Sequence, residues 1–185
     1  MKIAVDIDST LHHYWDQLAA AARRRFGIDL PYDQQLTWEI ALLRPEQLRA
    51  CVAETHADAQ VLAALPYPGA VETVTAWHEQ GHWIHVTSHR TVASREATER
   101  WLDSIGLPHD DLHCSDDKLT RCRELGIELL IDDAPGTLLG AIDAGMTAAT
   151  IIHPWNREVC ETEDVVCARD WTELARRLDP LLGGG

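Results

Sequence analysis

The chain reads as an α/β protein: an open, mostly parallel sheet with helices on both faces and a small helical segment inserted after the first strand. Three observations carry this expectation. The apolar run Lys2-Ile3-Ala4-Val5 leads straight into Asp6-Ile7-Asp8-Ser9-Thr10. From Pro68 onward, short apolar runs alternate with helical stretches, several of them closed by glycine, and such alternation builds a parallel sheet with crossover helices. Between these two regions, residues 14–65 contain no convincing strand.

The elements follow in order. Residues 14–25 predict a helix rich in Ala and Arg, stopped near Gly27. Pro31 breaks the chain, and residues 33–43 and 45–65 predict two or three more helices, Pro45 suiting a first helical turn. The segment Pro66-Tyr67-Pro68-Gly69 ends this insertion. Then come a helix over 70–80 closed by Gly81, a strand over 82–87, a helix over 91–105 closed by Gly106 and a short strand over 111–114. A helix over 118–125 closed by Gly126, a strand over 127–131 and a helix over 135–144 closed by Gly145 continue the alternation. A strand over 147–152 and a helix over 171–178 complete it, and Gly183 to Gly185 read as a flexible tail. The domain division is therefore a core of residues 1–13 and 66–185 with a helical cap of residues 14–65.

Composition narrows the function classes. The chain has 185 residues, enough for one domain with a modest lid, and its 45% hydrophobic content supports a packed core. A formal net charge of −14 argues against non-specific binding to nucleic-acid polymers or anionic membranes. It leaves room for a small phosphorylated ligand, because a bound cation reverses the local field. No signal segment or membrane span is expected. Five scattered cysteines without a C-x-x-C pair fit reduced thiols and a cytoplasmic setting. The basic run Arg23-Arg24-Arg25 reads as a solvated helix face. The histidines at 12, 13, 82, 85 and 89 lack the spacing of a zinc site.

The chemistry lies at strand ends. Open α/β sheets bind ligands beyond the carboxyl ends of their strands. Asp6 and Asp8 stand at the end of the first strand, and alternation would turn both to one side. Two like charges so close are costly unless a cation or a shared proton relieves them, which points to a metal site. The strand over 82–87 ends in Thr87-Ser88, followed by His89-Arg90; hydroxyls and backbone N–H groups at such a turn suit phosphate oxygens. Lys118 begins a helix after the short strand, and Asp132-Asp133 ends the strand before residue 132. Parallel neighbours would bring all four ends to one crevice.

These residues, in this order, resemble the haloacid dehalogenase superfamily of aspartate-nucleophile phosphotransferases over nearly the whole chain. Asp6 to Thr10 matches its Asp-x-Asp-x-Thr motif, Val86 to Ser88 its Thr/Ser strand, Lys118 its lysine and Asp132-Asp133 its acidic pair. The resemblance implies a Rossmann-like core and a Mg²⁺-dependent phosphatase. Asp6 would attack phosphorus and form an aspartyl phosphate. Asp8 would serve as acid and base. Thr87 or Ser88 would bind a phosphoryl oxygen, and Lys118 would bind phosphate and neutralise Asp6. Asp6, the Asp8 main-chain carbonyl and Asp133 would hold the metal, with Asp132 acting through water. Arg90 is a further candidate for the phosphate, an exposed position at a helix start being its other reading.

A finer resemblance is to the 5'(3')-deoxyribonucleotidase branch. It rests on Tyr14 soon after the first motif, Trp38 in the insertion, the return segment Leu65-Pro66-Tyr67-Pro68-Gly69-Ala70, the Thr87-Ser88 pair, Trp101 in the next helix and Ile131 before the acidic pair. It implies a substrate such as a (deoxy)nucleoside monophosphate, with Tyr14 and Trp38 as walls of a base slot; aromatic faces bind bases by stacking. The alternative for both residues is packing between cap and core. The chain departs from the pattern at Ala134, where some members carry Lys or Arg, and at Ser9, where Gly is common. Lys118 also precedes Asp132 by 14 residues, a longer spacing than in the animal enzymes. A phosphatase for a sugar phosphate or other small metabolite, and a non-catalytic phospho-ligand-binding relative, are the other readings. A homodimer is left open.

Overall fold

The computed structural model describes residues 1–183; Gly184 and Gly185, part of the expected tail, lie outside them. Among the described residues, six parallel strands form one sheet in the order β3-β2-β1-β4-β5-β6. They are β1 (Lys2–Asp6), β2 (Trp83–Ser88), β3 (Asp111–Cys114), β4 (Leu129–Ile131), β5 (Thr147–Ile151) and β6 (Val165–Ala168). The helices are α1 (Tyr14–Phe26), α2 (Pro45–Thr55), α3 (Asp58–Leu62), α4 (Ala70–Glu79), α5 (Arg95–Ile105), α6 (Lys118–Leu125), α7 (Pro135–Asp143), α8 (Arg157–Thr162) and α9 (Trp171–Leu182). Among the described residues, no helix is long and apolar enough to cross a membrane, and the five cysteines are free thiols.

Strand β1 is central because it is apolar on both faces. Ile3 and Val5 pack with Ile84, Val86 and the indoles of Trp77, Trp101 and Trp171 beneath α4, α5 and α9. Ala4 faces the opposite side, with Leu130, Ala148, Cys122 and Leu138 beneath α6 and α7. A parallel sheet covered on both faces needs such continuous apolar strands. Alternation puts Asp6 on the Ala4 side, and that places it within reach of the start of α6. Helices α6 and α7 approach closely at Gly140, where an added Cβ would collide with Leu119 Cδ1. A glycine at this point lets α6 and α7 pack together, with Lys118 at the start of α6 and Asp132 just before α7.

The chain between β1 and α4 has its own apolar cluster. Trp15, Leu18, Ala21 and Ala22 of α1 pack with Leu30, Leu43 and Cys51, and Trp155 from beyond β5 joins them. Both ends of this segment are pinned together. Tyr67 N–H donates to Leu11 O at 2.8 Å, and the Trp101 indole donates to Ala64 O at 2.9 Å. Arg24 and Arg25 pair with Glu54 at the surface.

Two local expectations need correction. Residues 33–43 do not form a helix: a single 3-10 turn (Tyr32–Gln34) is followed by an irregular loop. Gln35 Nε2 donates to the carbonyls of Thr37 and Glu39, so the loop satisfies its own backbone without helical bonds. Leu36, Trp38 and Leu42 are exposed, so a helix here would have had little apolar face to bury. Helix α8 and strand β6 were not anticipated. Both are short, and β6 is a four-residue edge strand defined by its pairing with β5.

Candidate active site

Four strand ends meet at the carboxyl edge of the sheet. Asp6 closes β1, Thr87 is its register partner on β2, and Asp132-Asp133 follows β4. Lys118, the first residue of α6, reaches in from the loop after β3. Its Nζ donates to Asp6 Oδ1 and, at 2.8 Å, to Asp132 Oδ2. Asp132 Oδ1 accepts from Ala134 N–H at 2.9 Å, so both oxygens of this carboxylate are committed. Asp133 accepts from the Trp155 indole at 3.1 Å through Oδ2, and its carbonyl accepts from Asn156 Nδ2 at 3.3 Å.

Asp6, Asp132 and Asp133 each offer an oxygen within 4.8 Å of the others, and all three are buried. Three carboxylates against one ammonium leave a deficit of positive charge. Burial pushes Asp6 up to about 7, with Lys118 opposing and Asp132 and Asp8 reinforcing the shift. Burial, then the charges of Asp6 and Asp132, pushes Asp133 well above the ordinary range. Burial alone would lower Lys118, but Asp132 and Asp6 outweigh it and keep the amine protonated. An all-oxygen, over-charged donor set is what a hard divalent cation such as Mg²⁺ requires, so the residues present fit that ion. Among the described residues, the buried hydroxyl of Thr87, the register partner of Asp6, has no hydrogen-bond partner. Such orphaned groups are rare unless a ligand completes them.

Asp8 differs from the sequence expectation. Strand β1 ends at Asp6, so alternation no longer governs Asp8. The Ile7 carbonyl accepts from the N–H groups of Thr10, Leu11 and His12, closing a tight turn in which Ser9 takes φ of 63°. That left-handed conformation is one glycine enters freely and serine only at a cost of about 1–2 kcal/mol. The turn swings Asp8 away from Asp6. Arg90 donates to it twice, from Nη2 at 2.7 Å and Nε at 3.1 Å; His12 Nε2 lies 2.8 Å away and Ser88 Oγ donates at 3.3 Å. His56, which closes α2, stands 3.7 Å from the same carboxylate. Burial pushes Asp8 up, but Arg90 and His12 outweigh it and hold the carboxyl well below the usual range.

A cavity of about 770 Å³ opens above this edge. Asp6, Asp8, Asp133 and Lys118 line its floor, and Tyr14, Trp38 and neighbours from the inserted segment line its walls. The structure therefore brings most of the candidate residues to the cavity, with four exceptions. Thr87 and Asp132 are fully buried beneath its floor, and Ser88 and Arg90 do not line it either. Arg90 is 1% exposed, bonded to Asp8 and Thr98 and lying 5.9 Å from the Trp101 ring, while Ser88 Oγ accepts from Arg90 N–H. Both face Asp8 because that carboxylate supplies the charge a buried guanidinium needs. Tyr14 donates or accepts at Thr55 Oγ1, 3.0 Å away. Trp38 is 52% exposed, so its indole is not a packing element of the core.

Three contributors escaped the sequence reading: His12, Trp155 and Asn156. The last two follow β5, whose carboxyl end obeys the same strand-end rule as the others and would have flagged them. His153 belongs with them. Its Nε2 donates to Ser9 O and its Nδ1 accepts from the Tyr32 hydroxyl, both at 2.7 Å, and its ring stacks 4.5 Å from Trp155. Burial lowers its pKa to about 4, against a Ser9 hydrogen bond that favours the charged form. A histidine depressed in the fold contributes stability above its unfolded pKa, and loses it as pH falls from about 6.5 toward 4. His153→Gln should remove about 3 kcal/mol of that acid-side dependence. Urea unfolding of both proteins at pH 7 and pH 4.5 measures the difference, and parallel losses would show that His153 is not the group responsible.

The parallel order around β1 and the helices between β1 and β2 share the fold of solved haloacid dehalogenase-family hydrolases. A solved member from Deinococcus radiodurans, with bound phosphate and sodium, superposes with a TM-score of 0.68 at 15% identity over 97% of this chain and 94% of its own. CbbY from Rhodobacter sphaeroides, solved with xylulose-(1,5)-bisphosphate, gives 0.63 at 16% identity over 93% and 95%. At these identities the likeness is one of fold. In sequence, a Bacillus cereus protein named as a candidate nucleotidase is 27% identical over 114 residues, which is 59% of this chain. The chain spans 58% of that relative's length. No family model matches.

Proposed function

We propose that the protein is a Mg²⁺-dependent phosphomonoester hydrolase acting through an aspartyl phosphate on Asp6, with (deoxy)nucleoside monophosphates as substrates. The observation that carries this reading is the cluster of Asp6, Asp132, Asp133 and Lys118, of which Asp6, Asp133 and Lys118 line the floor of one cavity. Asp6 is suited to attack: Lys118 engages Oδ1, and among the described residues no hydrogen bond reaches Oδ2. Mg²⁺ held by Asp6, Asp133 and the Asp8 main-chain carbonyl, with Asp132 behind, would offset the repulsion between a phosphate dianion and this carboxylate. Asp133 suits direct ligation because it lines the cavity, whereas both oxygens of Asp132 are already engaged.

Asp6 forms a bond to phosphorus as the bond to the leaving oxygen breaks, and Asp8 gives that oxygen its proton. Asp8 then takes a proton from water, which attacks phosphorus and releases inorganic phosphate and Asp6. The Arg90 ion pair keeps Asp8 ionised, the form the second step requires. The first step requires its carboxyl to leave the guanidinium and carry a proton. The orphaned Thr87 hydroxyl offers a donor to a phosphoryl oxygen, and Lys118 offsets its charge.

The nucleoside part of this reading is supported by Tyr14 and Trp38 in the cavity wall and by the distant candidate nucleotidase. The inserted segment 14–65 would act as the cap that closes over the substrate. Trp38→Ala should weaken binding of thymidine 5'-monophosphate by about 1–3 kcal/mol, the scale of one stacked base. Turnover of methyl phosphate should change little. Steady-state KM values for both substrates check this. An equal change on the two would remove Trp38 from the base slot.

A further inference from the structure

The cavity that the proposed hydrolase would use carries a charge pattern that restricts the leaving group further than its shape does. Among the described residues, Lys118 is the one lysine or arginine lining it, and that amine is already bound to Asp6 and Asp132. Of the two histidines of the lining, His56 and His89, the first stands 3.7 Å from the Asp8 carboxylate, which already answers it. Glu39 and Asp116 add exposed carboxylates to the rim. The remaining wall is mainly apolar, with Trp38, Ile40, Leu43, Leu48 and Trp155 facing the space. The chamber thus has one place where an anion is welcome, at its floor, and a wall that offers a second anion only desolvation and like charge.

We propose that this site accepts phosphomonoesters with a single anionic group, whose leaving group is uncharged and carries a flat, largely apolar ring, and that it rejects substrates with a second phosphate or carboxylate. This rests on the phosphohydrolase reading and adds the charge of the leaving group to it. A nucleoside monophosphate satisfies the rule; a nucleoside bisphosphate, a sugar bisphosphate and a phosphorylated short carboxylic acid break it. The cost comes from the absence of a counter-charge on the wall, so a cation placed there should relieve it.

The test uses the full chain with Mg²⁺ and four compounds: p-nitrophenyl phosphate, thymidine 5'-monophosphate, thymidine 3',5'-bisphosphate and phosphoglycolate. The first two should exceed the last two in kcat/KM by at least about 100-fold, the scale of an uncompensated like-charge contact. Glu39→Lys, at an exposed loop position, should raise the bisphosphate-to-monophosphate ratio by at least about 10-fold, and Glu39→Gln by less. Titration calorimetry with the two thymidine compounds reads the same contrast without turnover. Similar kcat/KM values for mono- and bisphosphate, or a ratio that Glu39→Lys leaves unmoved, would overturn the charge rule and leave the hydrolase standing. No phosphate release from any compound, with the binding contrast intact, would overturn the hydrolase and keep the rule.

Discussion

Asp6→Asn should abolish phosphate release from p-nitrophenyl phosphate, with a loss of at least about 10⁴-fold in kcat, on the scale of removing a covalent nucleophile. The variant deletes the attacking oxygen and one member of the acidic cluster together. It should nonetheless stay folded. Asp6 is buried with its pKa pushed up to about 7, so in the metal-free protein its ionisation opposes folding. For a carboxyl raised in the fold, the favourable contribution is present at low pH and is lost as pH rises toward 7. The amide removes that penalty. At pH 8 in EDTA, Asp6→Asn should therefore melt no lower than the parent, and the difference between the two should shrink toward pH 4. Near-normal turnover in the folded variant would exclude Asp6 as the nucleophile. A collapse of its melting temperature would show that the Lys118 pair depends on this charge more than the geometry implies.

Lys118→Met should have the largest effect on stability. It removes the one cation among Asp6, Asp132 and Asp133 and leaves buried carboxylates facing one another. Breaking a buried ion pair from one side costs about 3–5 kcal/mol. Urea unfolding in EDTA reads this loss. Addition of Mg²⁺ should recover part of it, about 2.7 kcal/mol at a hundred times its Kd, because a ligand that binds only the folded state stabilises it by mass action. Lys118→Arg retains the charge and serves as the control for burial and size. An unchanged stability in EDTA, or a destabilised variant that Mg²⁺ leaves unmoved, would show that the cluster is not a divalent-cation site. Phosphate release by Lys118→Met should also fall, since a carboxylate nucleophile without its ammonium repels the substrate more strongly.

Much of the fold was legible in local pattern. Runs such as Ile3-Ala4-Val5 and Leu129-Leu130-Ile131 are apolar on both faces, and only a covered parallel strand satisfies them. Glycines after residues 105 and 125 close helices in the left-handed conformation that marks a helix end. The acidic strand ends, Lys118 at a helix start and Thr87 at the end of β2 were legible for the same reason: their surroundings are set by short-range strand and helix boundaries. The loop after Tyr32 was not legible, because its helix-like composition had no core to pack against and Gln35 satisfied the backbone instead.

Local pattern was enough to fix the parallel α/β class and the convergence of Asp6, Lys118 and Asp132-Asp133. These follow from period and punctuation, which are properties of neighbouring residues. Tertiary structure alone decided the partners. Asp8 lies two residues from Asp6, yet it turns to Arg90 and His12, because β1 ends at Asp6 and the turn at Ser9 re-aims it. Arg90 reads as a phosphate ligand or a surface charge in one dimension, and becomes the buried counter-charge of Asp8 in three. Trp155 and Asn156 reach Asp133 across more than twenty residues, from the end of β5, which the sheet order sets beside β4. A side chain's charge and spacing are written in the chain, but the group that answers the charge is chosen by which strand ends the sheet order makes neighbours.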